Sequence, residues 1–123
     1  MQDNTCSRHD IHDRFDHMPR PEEFETVSQV FKILGDASRV RLFWLLCHCE
    51  SCVLNLSAMM DMSSPAVSHH LKLLKASGLV TARREGKEVI YKASDTEQAR
   101  SLHEIIEQVV QIACPARSEE NRP

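Results

Sequence analysis

The chain has 123 residues, a length that suits one domain, and 41% of them are hydrophobic, 27% charged and only 5% aromatic. This composition excludes a disordered chain. No apolar run approaches the roughly 20 residues that span a bilayer, and the polar N-terminus has no apolar signal core, so we expect a cytoplasmic protein with no membrane partner.

The net charge of −3 is unevenly distributed along the chain. Residues 63–93 contain six basic and only two acidic residues, so the acidic excess lies elsewhere. A basic segment in an acidic protein is either a phosphate-contacting surface or an ordinary solvated face. Charge alone does not choose between the two.

Five helices and one hairpin are predicted in chain order, from apolar residues at helical spacing and from cap and turn residues. The predicted helices cover residues 22–34, 37–47, 53–60, 63–77 and 95–113, and the predicted strands cover 79–84 and 88–93. We expect residues 1–21 to be a flexible arm, residues 22–114 to be the folded domain, and residues 115–123 to be a disordered tail.

The fourth helix has the clearest boundaries. Ser63 or Ser64 is expected to cap it, Pro65 lies in its first turn, and Gly78 ends it. Elsewhere, Asp36 or Ser38 is expected to cap the second helix and Asp95 the last. Met59 and Met60 are expected to face inward from the third helix.

The last helix has an apolar face wider than one small domain can cover. Its apolar residues are Leu102, Ile105, Ile106, Val109, Val110 and Ile112. We therefore predict a homodimer formed through the first and last helices.

This order of elements predicts a mainly α winged helix-turn-helix fold, α-α-α-α-β-β-α, with the hairpin as the wing. An α-helix fits the major groove of double-stranded DNA, and the N-terminal half of a recognition helix meets base edges. Short or polar residues fill that half of the fourth helix, and basic residues follow on it and on the wing. The candidate DNA-binding residues are Ser63, Ser64, Ala66, Ser68, His69, His70, Lys72, Arg84 and Lys87.

Five stretches resemble the ArsR/SmtB family of metal- and redox-responsive repressors. Leu34–Leu42 is similar to the family's "L-G-D-x-[ST]-R-x-R-[IL]" motif, and Ser63–Leu74 is similar to its recognition helix. Residues 76–80, 83–87 and 89–91 resemble its helix end and wing. The resemblance covers about residues 22–112. It implies a homodimer that binds palindromic operator DNA and releases it when an inducer binds.

The inducer site implied by the resemblance uses cysteines. Cys52 occupies the first position of the family's Cys-x-Cys pair, but Leu54 replaces the second cysteine. Cys49 lies three residues before Cys52, and this spacing places two thiolates on one ion. Cys49 and Cys52, together with Cys6 and His9 from the arm, would form a site for Zn²⁺, Cd²⁺ or Pb²⁺. The thiols of the three cysteines alone would suit As(III).

Two alternatives remain open. The family's second site, on the last helix, is only partly matched; its candidate ligands are Asp95, Glu97, His103 and Glu107. Alternatively, Cys47 and Cys114 match the thiols of relatives that sense redox state or persulfides. Cys47 is also interpreted as a small buried hydrophobe.

The sequence gives no indication of an enzyme. The chain contains three glycines and no phosphate-binding glycine loop, and no H-E-x-x-H motif is present. Cys47 and His48 are adjacent, and neighbours on a helix point apart, so they do not form a nucleophile–base pair. A protein-interaction module is the remaining alternative to a DNA-binding one.

Overall fold

The computed structural model describes residues 16–114, and the contacts divide the chain into two units between Phe31 and Lys32. Its helices are α1 (Pro21–Ile33), α2 (Ala37–His48), α3 (Val53–Met60), α4 (Ser64–Ala76) and α5 (Glu97–Ala113), and its strands are β1 (Val80–Glu85) and β2 (Glu88–Ala93). This order confirms the predicted winged helix-turn-helix. Among the described residues, no helix is long and apolar enough to cross a membrane.

The first unit consists, within the described residues, of a short turn and most of α1. Acidic residues Glu22 and Glu23 occupy the first turn of α1, where they complement the helix dipole. No residue of α1 is buried, and its apolar side chains Phe24, Val27 and Phe31 are about half exposed. The helix therefore presents an apolar stripe to the surroundings in this single chain.

The core of the second unit is aliphatic, with one aromatic side chain. Its largest fully buried side chains come from α2, α3, α4 and the start of the hairpin: Leu42, Phe43, Leu56, Val67, Leu71, Leu74, Leu79 and Val80. The predicted stripe of α4 thus packs inward, and the opposite face of α4 is left to solvent.

The boundaries of α4 follow the predicted signals. The Ser63 hydroxyl accepts a hydrogen bond from the N–H of Ala66 (3.3 Å), and Pro65 lies in the first turn. Gly78 has φ of +81°, and the N–H of Leu79 donates to the carbonyl of Leu74 (3.1 Å). Glycine fits this left-handed position after a helix because it has no Cβ.

The hairpin pairs Val80 with Ala93 and continues to Glu85 with Glu88. Gly86, with φ of +63°, begins the two-residue turn between the strands. Strand β1 begins and ends one residue later than predicted. It begins later because the N–H of Leu79 closes the end of α4, and it ends later because Glu85 still pairs with Glu88.

Two local predictions were wrong. Thr96, not Asp95, caps α5: its hydroxyl accepts from the N–H of Ala99 (3.1 Å), while the Asp95 carboxylate accepts from Arg100 (2.8 Å). Met59 was expected to face inward but is 44% exposed. Met60 is buried as predicted, together with Leu56 one turn earlier, and these two residues form the buried apolar face of the eight-residue α3.

Candidate nucleic-acid interface and metal ligands

Helices α3 and α4 are joined by a short, well-defined turn. Asp61 ends α3 in the left-handed conformation (φ 54°), and the N–H of Met62 donates to the carbonyl of Ser57 (3.1 Å). The hydroxyls of Ser57 and Ser64 lie 3.1 Å apart and form a hydrogen bond between the two helices. The turn and this bond fix the direction in which α4 presents its outer face.

Three predicted DNA-binding residues form an exposed arc on α4. Ser68, His69 and Lys72 all face solvent, and their positions along the helix place them within about 100° of one another. The arc lies opposite the buried stripe of α4. It is therefore free to enter a major groove.

Other predicted DNA-binding residues of α4 have structural roles as well. Ser63 is exposed, but its hydroxyl caps the helix. Ser64, Ala66 and His70 are half-buried, and the Ser64 hydroxyl bonds that of Ser57. Ser63 and Ser64 therefore shape the start of the helix more than they extend from it.

His70 belongs to a small polar cluster with residues from the start of α2. Its Nδ1 lies 3.4 Å from Nη1 of Arg39, and its Nε2 lies 4.0 Å from Oδ2 of Asp36. Arg39 Nε also donates to the carbonyl of Ile33 (2.7 Å). Through Asp36 and Arg39, the Leu34–Leu42 motif therefore connects the start of α2 to α4.

Of the two residues predicted to cap α2, Asp36 and Ser38, the structure has Asp36 as the cap. The backbone N–H of Arg39 donates to its carboxylate (3.1 Å) and holds the pKa of Asp36 below its ordinary value. The carboxylate is therefore charged at neutral pH, where it also attracts the side chain of Arg39.

The predicted wing residues Arg84 and Lys87 are both exposed. Arg83 behaves differently, because its guanidinium donates to both carboxylate oxygens of Glu50 and to Glu85 (Nε–Oε2 2.7 Å). The hydrogen bonds to Arg83 hold the pKa of Glu50 below its ordinary value. Arg84 and Lys87 are thus better placed than Arg83 to meet phosphates.

The segment that carries Cys49 and Cys52 is fixed to the wing. Ser51 and Tyr91 exchange two backbone hydrogen bonds, of 3.0 and 2.8 Å, in an isolated antiparallel bridge. Cys49 is exposed and its thiol lies 3.4 Å from the carbonyl of Leu45; Cys52 is 8% exposed at the start of α3. The structure brings both cysteines to one anchored segment, whereas Cys6 and His9 lie outside the described residues.

The two cysteines of the redox alternative differ in environment. Cys47 is half-buried on α2, and burial raises the pKa of its thiol to about 11. Cys114 is exposed at the end of α5. All cysteines in residues 16–114 are free thiols.

Three residues of the kinds that bind metals, two histidines and one glutamate, lie together where α2 meets α5. His48 Nε2 lies 2.9 Å from His103 Nε2, which lies 4.0 Å from Oε1 of Glu107. Trp44 Nε1 donates to Glu107 Oε2 (3.2 Å). The group lies beside an open cavity of about 620 Å³, which His48 and His103 also line.

The group differs from the set predicted on the last helix. His103 and Glu107 belong to it, whereas Asp95 is bonded to Arg100 and Glu97 lies exposed in the first turn of α5. The sequence reasoning did not include His48. A signal was available, because Trp44 and His48, like His103 and Glu107, are one helical turn apart and share a face.

A sequence profile described as "Bacterial regulatory protein, arsR family" matches residues 36–82. The chain is 36% identical over 84 residues to the transcriptional repressor SmtB homolog of Synechocystis sp. (68% of this chain, 64% of the relative). It is 38% identical over 79 residues to the cadmium resistance transcriptional regulatory protein CadC homolog of Staphylococcus aureus (63% and 64%). The chain therefore spans slightly less than two thirds of these two relatives.

A third relative is covered more fully. The arsenical resistance operon repressor of Staphylococcus aureus is 32% identical over 88 residues, which are 72% of this chain and 77% of the relative. The chain spans over three quarters of this relative.

Solved structures share the fold. HlyU from Vibrio cholerae superposes with a TM-score of 0.67 at 24% identity, over 73% of this chain and 97% of that chain. The homodimeric winged helix-turn-helix DNA-binding domain of Mycobacterium bovis Mb0332 superposes with a TM-score of 0.65 at 25% identity, over 87% and 91%.

Proposed function

Since the chain belongs to the ArsR family of bacterial regulatory proteins, we propose that it is a transcriptional repressor that binds double-stranded operator DNA. The observation that carries this is the exposed arc of Ser68, His69 and Lys72 on α4, backed by a buried stripe that holds the helix in place. Side chains at the arc would read base edges, and Arg84 and Lys87 on the wing would contact phosphates. It is a regulator and not an enzyme, and it acts in the cytoplasm, where its DNA is.

We propose that the repressor is a homodimer formed through α1 and α5. Each helix carries apolar side chains exposed in the single chain: Phe24, Val27 and Phe31 on α1, and Ile105, Val109, Val110 and Ile112 on α5. Exposed apolar residues of this number are typical of protein–protein contacts. A dimer would also present two recognition helices to the two halves of a palindrome.

We propose that the inducer is a thiophilic ion, Zn²⁺, Cd²⁺, Pb²⁺ or As(III), bound by Cys49 and Cys52 together with Cys6 and His9. The names of two relatives, which concern cadmium and arsenical resistance, support this class of ion. The Cys52 thiol makes no capping hydrogen bond to α3, so no such bond competes with an ion for it. The segment is joined through Ser51 to the wing, so an ion bound there would act on the reading elements directly.

The redox alternative, in which Cys47 and Cys114 react, has less support. The thiolate is the nucleophile in disulfide exchange, and a thiol with a pKa of about 11 is protonated at neutral pH.

The test uses reduced, metal-free protein and labelled DNA from its own promoter. Fluorescence anisotropy measures DNA binding, and ultraviolet thiolate-to-metal absorption measures binding of Cd²⁺, Zn²⁺ or As(III). We expect the ions to lower DNA affinity by about 5–150-fold in the wild type, a typical allosteric coupling. Cys49→Ser should bind DNA normally but respond weakly.

The matched control is Cys114→Ser, an exposed thiol outside the proposed site, which should respond like the wild type. A normal ion response in Cys49→Ser would show that the inducer site is misplaced. Absence of any salt-dependent DNA affinity would overturn the repressor itself. Release by persulfide or disulfide treatment, without a metal effect, would favour the redox alternative.

A further inference from the structure

One turn of α2 faces one turn of α5. Trp44 and His48 are one turn apart on α2, and His103 and Glu107 are one turn apart on α5. The side chains meet so that ligand atoms of His48, His103 and Glu107 all lie within 4.8 Å of one another. We propose that these three residues form a nitrogen–oxygen site for a zinc-class divalent cation within a single protomer.

The donor set suits such an ion. Two imidazole nitrogens and one carboxylate oxygen leave a fourth tetrahedral position for water, as in zinc sites with three protein ligands. Side-chain exposure of 24% at His103 and 46% at Glu107 gives water and the ion access to the group. The ligands contain no sulfur, so this site is chemically distinct from that of Cys49 and Cys52.

Two of the three distances between ligand atoms need only small adjustments. Tetrahedral zinc bonds of about 2.0–2.1 Å place neighbouring ligand atoms about 3.3 Å apart. The two Nε2 atoms, now 2.9 Å apart, would separate by about 0.4 Å, and Glu107 Oε1 would approach His103 by about 0.7 Å. Partly exposed side chains make such movements by small rotations, without a backbone change.

Trp44 holds two of the ligands in place. Its indole N–H donates to Glu107 Oε2 (3.2 Å), which leaves Oε1 directed towards His103. Its ring centroid lies 4.1 Å from that of His48. Hydrogen bonds that orient a ligating carboxylate in this manner commonly contribute to metal affinity.

The Nε2 atoms of His48 and His103 lie 2.9 Å apart, within hydrogen-bond distance of each other. An ion held at this site would be bound by the Nε2 atoms of both rings, and its bonds would replace this contact.

The ion would join α2 to α5. His48 is the last residue of α2 and directly precedes the Cys49–Cys52 segment, and α5 carries the apolar residues of the proposed dimer. This consequence, unlike the site itself, rests on the proposed function: the cation would connect the sensing segment to the dimer helix.

The chain contains one tryptophan, so Trp44 is a built-in reporter. Reduced, metal-free, full-length protein is titrated with Co²⁺, whose visible absorption reports its ligands, and then with Zn²⁺ as a competitor. We expect one equivalent of Co²⁺ per protomer to quench Trp44 fluorescence. This phase should show no thiolate-to-cobalt band, and Zn²⁺ should reverse it.

Variants assign the ligands. His48→Gln and His103→Gln should each weaken this phase at least tenfold, and Glu107→Gln should weaken it about tenfold. The matched control is Glu104→Gln, which removes an exposed carboxylate of the same helix outside the group and should change nothing. Circular dichroism establishes that each variant is folded.

A Cys49→Ser background separates this site from the thiol site, because the Trp44 response should persist there. Unchanged quenching in both His48→Gln and His103→Gln would overturn the proposal. So would a Co²⁺ titration that yields only a thiolate band and leaves Trp44 unaffected. Neither result depends on DNA binding, so a failure here is distinguishable from a failure of the repressor function.

Discussion

The reading segment, Val53–Ala93, and the metal-ligand residues of α2 and α5 are encoded in different ways. In the reading segment, each element begins and ends at residues that act locally: Ser63 caps α4, Gly78 ends it, and Gly86 begins the hairpin turn. The histidine–glutamate group depends on the packing of α2 against α5, more than fifty residues apart. Local signals thus specify the proposed reading segment, whereas tertiary contacts specify the proposed cation site.

The two regions also differ in what holds their polar side chains. The Ser68, His69 and Lys72 arc is exposed and backed by a purely apolar stripe. The His48 group is held by side-chain hydrogen bonds, including that from Trp44. Substitutions in the stripe should therefore act on stability, and substitutions in the group on ion binding.

The largest expected effect is on stability, from Leu71→Ala. Leu71 is fully buried in the stripe of α4, and removing it should lower the free energy of unfolding by about 2–5 kcal/mol because it leaves a cavity. Urea denaturation at fixed protein concentration measures the change.

The control for this prediction is Leu54→Ala on α3. Leu54 is 72% exposed, so its loss should change stability by no more than about 0.5 kcal/mol. Equal effects of the two substitutions would contradict the view that the buried stripe supports the reading helix.

Most of the fold could be predicted because its boundaries depend on local chemistry. The third helix and the second strand have the predicted bounds, and α4 begins and ends at the predicted signals. The error at Asp95 is of the same local kind: Thr96 is also a good cap, and Arg100 draws the Asp95 carboxylate away. When two neighbouring residues are both good helix caps, the sequence pattern alone does not show which of them caps the helix.

The candidate sites could be predicted only in part. Exposure of Ser68 and His69 follows from helical periodicity, but the half-burial of His70 depends on Arg39 and Asp36, which lie 31 and 34 residues earlier. His48 joins the metal-ligand group only through the position of α5. The bridge between Ser51 and Tyr91, which fixes the cysteine segment, likewise has no local sequence signal.

Adjacent histidines of α4 provide a test with an intermediate effect. His69 is exposed in the arc, so His69→Ala should weaken operator binding by about 1–3 kcal/mol while leaving thermal stability unchanged. His70 contacts Arg39 and Asp36, so His70→Ala should lower the melting temperature and weaken DNA binding through the position of α4.

Anisotropy with operator and scrambled DNA, together with thermal unfolding, measures both effects. Lys87→Ala is the control for phosphate contact: it should weaken binding to both DNAs and reduce the salt slope by about 1. If His69→Ala behaved like Lys87→Ala, the arc would contact phosphates and not bases. If it lowered stability like His70→Ala, the arc would be structural.

The smallest expected effect concerns the ion pair between Glu50, which lies in the cysteine segment, and Arg83, which lies in the wing of the reading segment. Hydrogen bonding to Arg83 lowers the pKa of Glu50, so the contribution of the pair to stability is complete above the ordinary Glu pKa of about 4.3. It is lost as the pH falls through the lower pKa of the folded state.

Melting temperatures of the wild type and Glu50→Gln should therefore differ slightly at pH 7 and converge as the pH falls through the lowered pKa of Glu50 in the folded state. Both side chains are nearly half exposed, and solvent keeps the effect small. Glu88→Gln, which alters an exposed carboxylate of the same hairpin, should show no such convergence. A difference between wild type and Glu50→Gln that stayed constant with pH would mean that the charge of Glu50 does not contribute to stability.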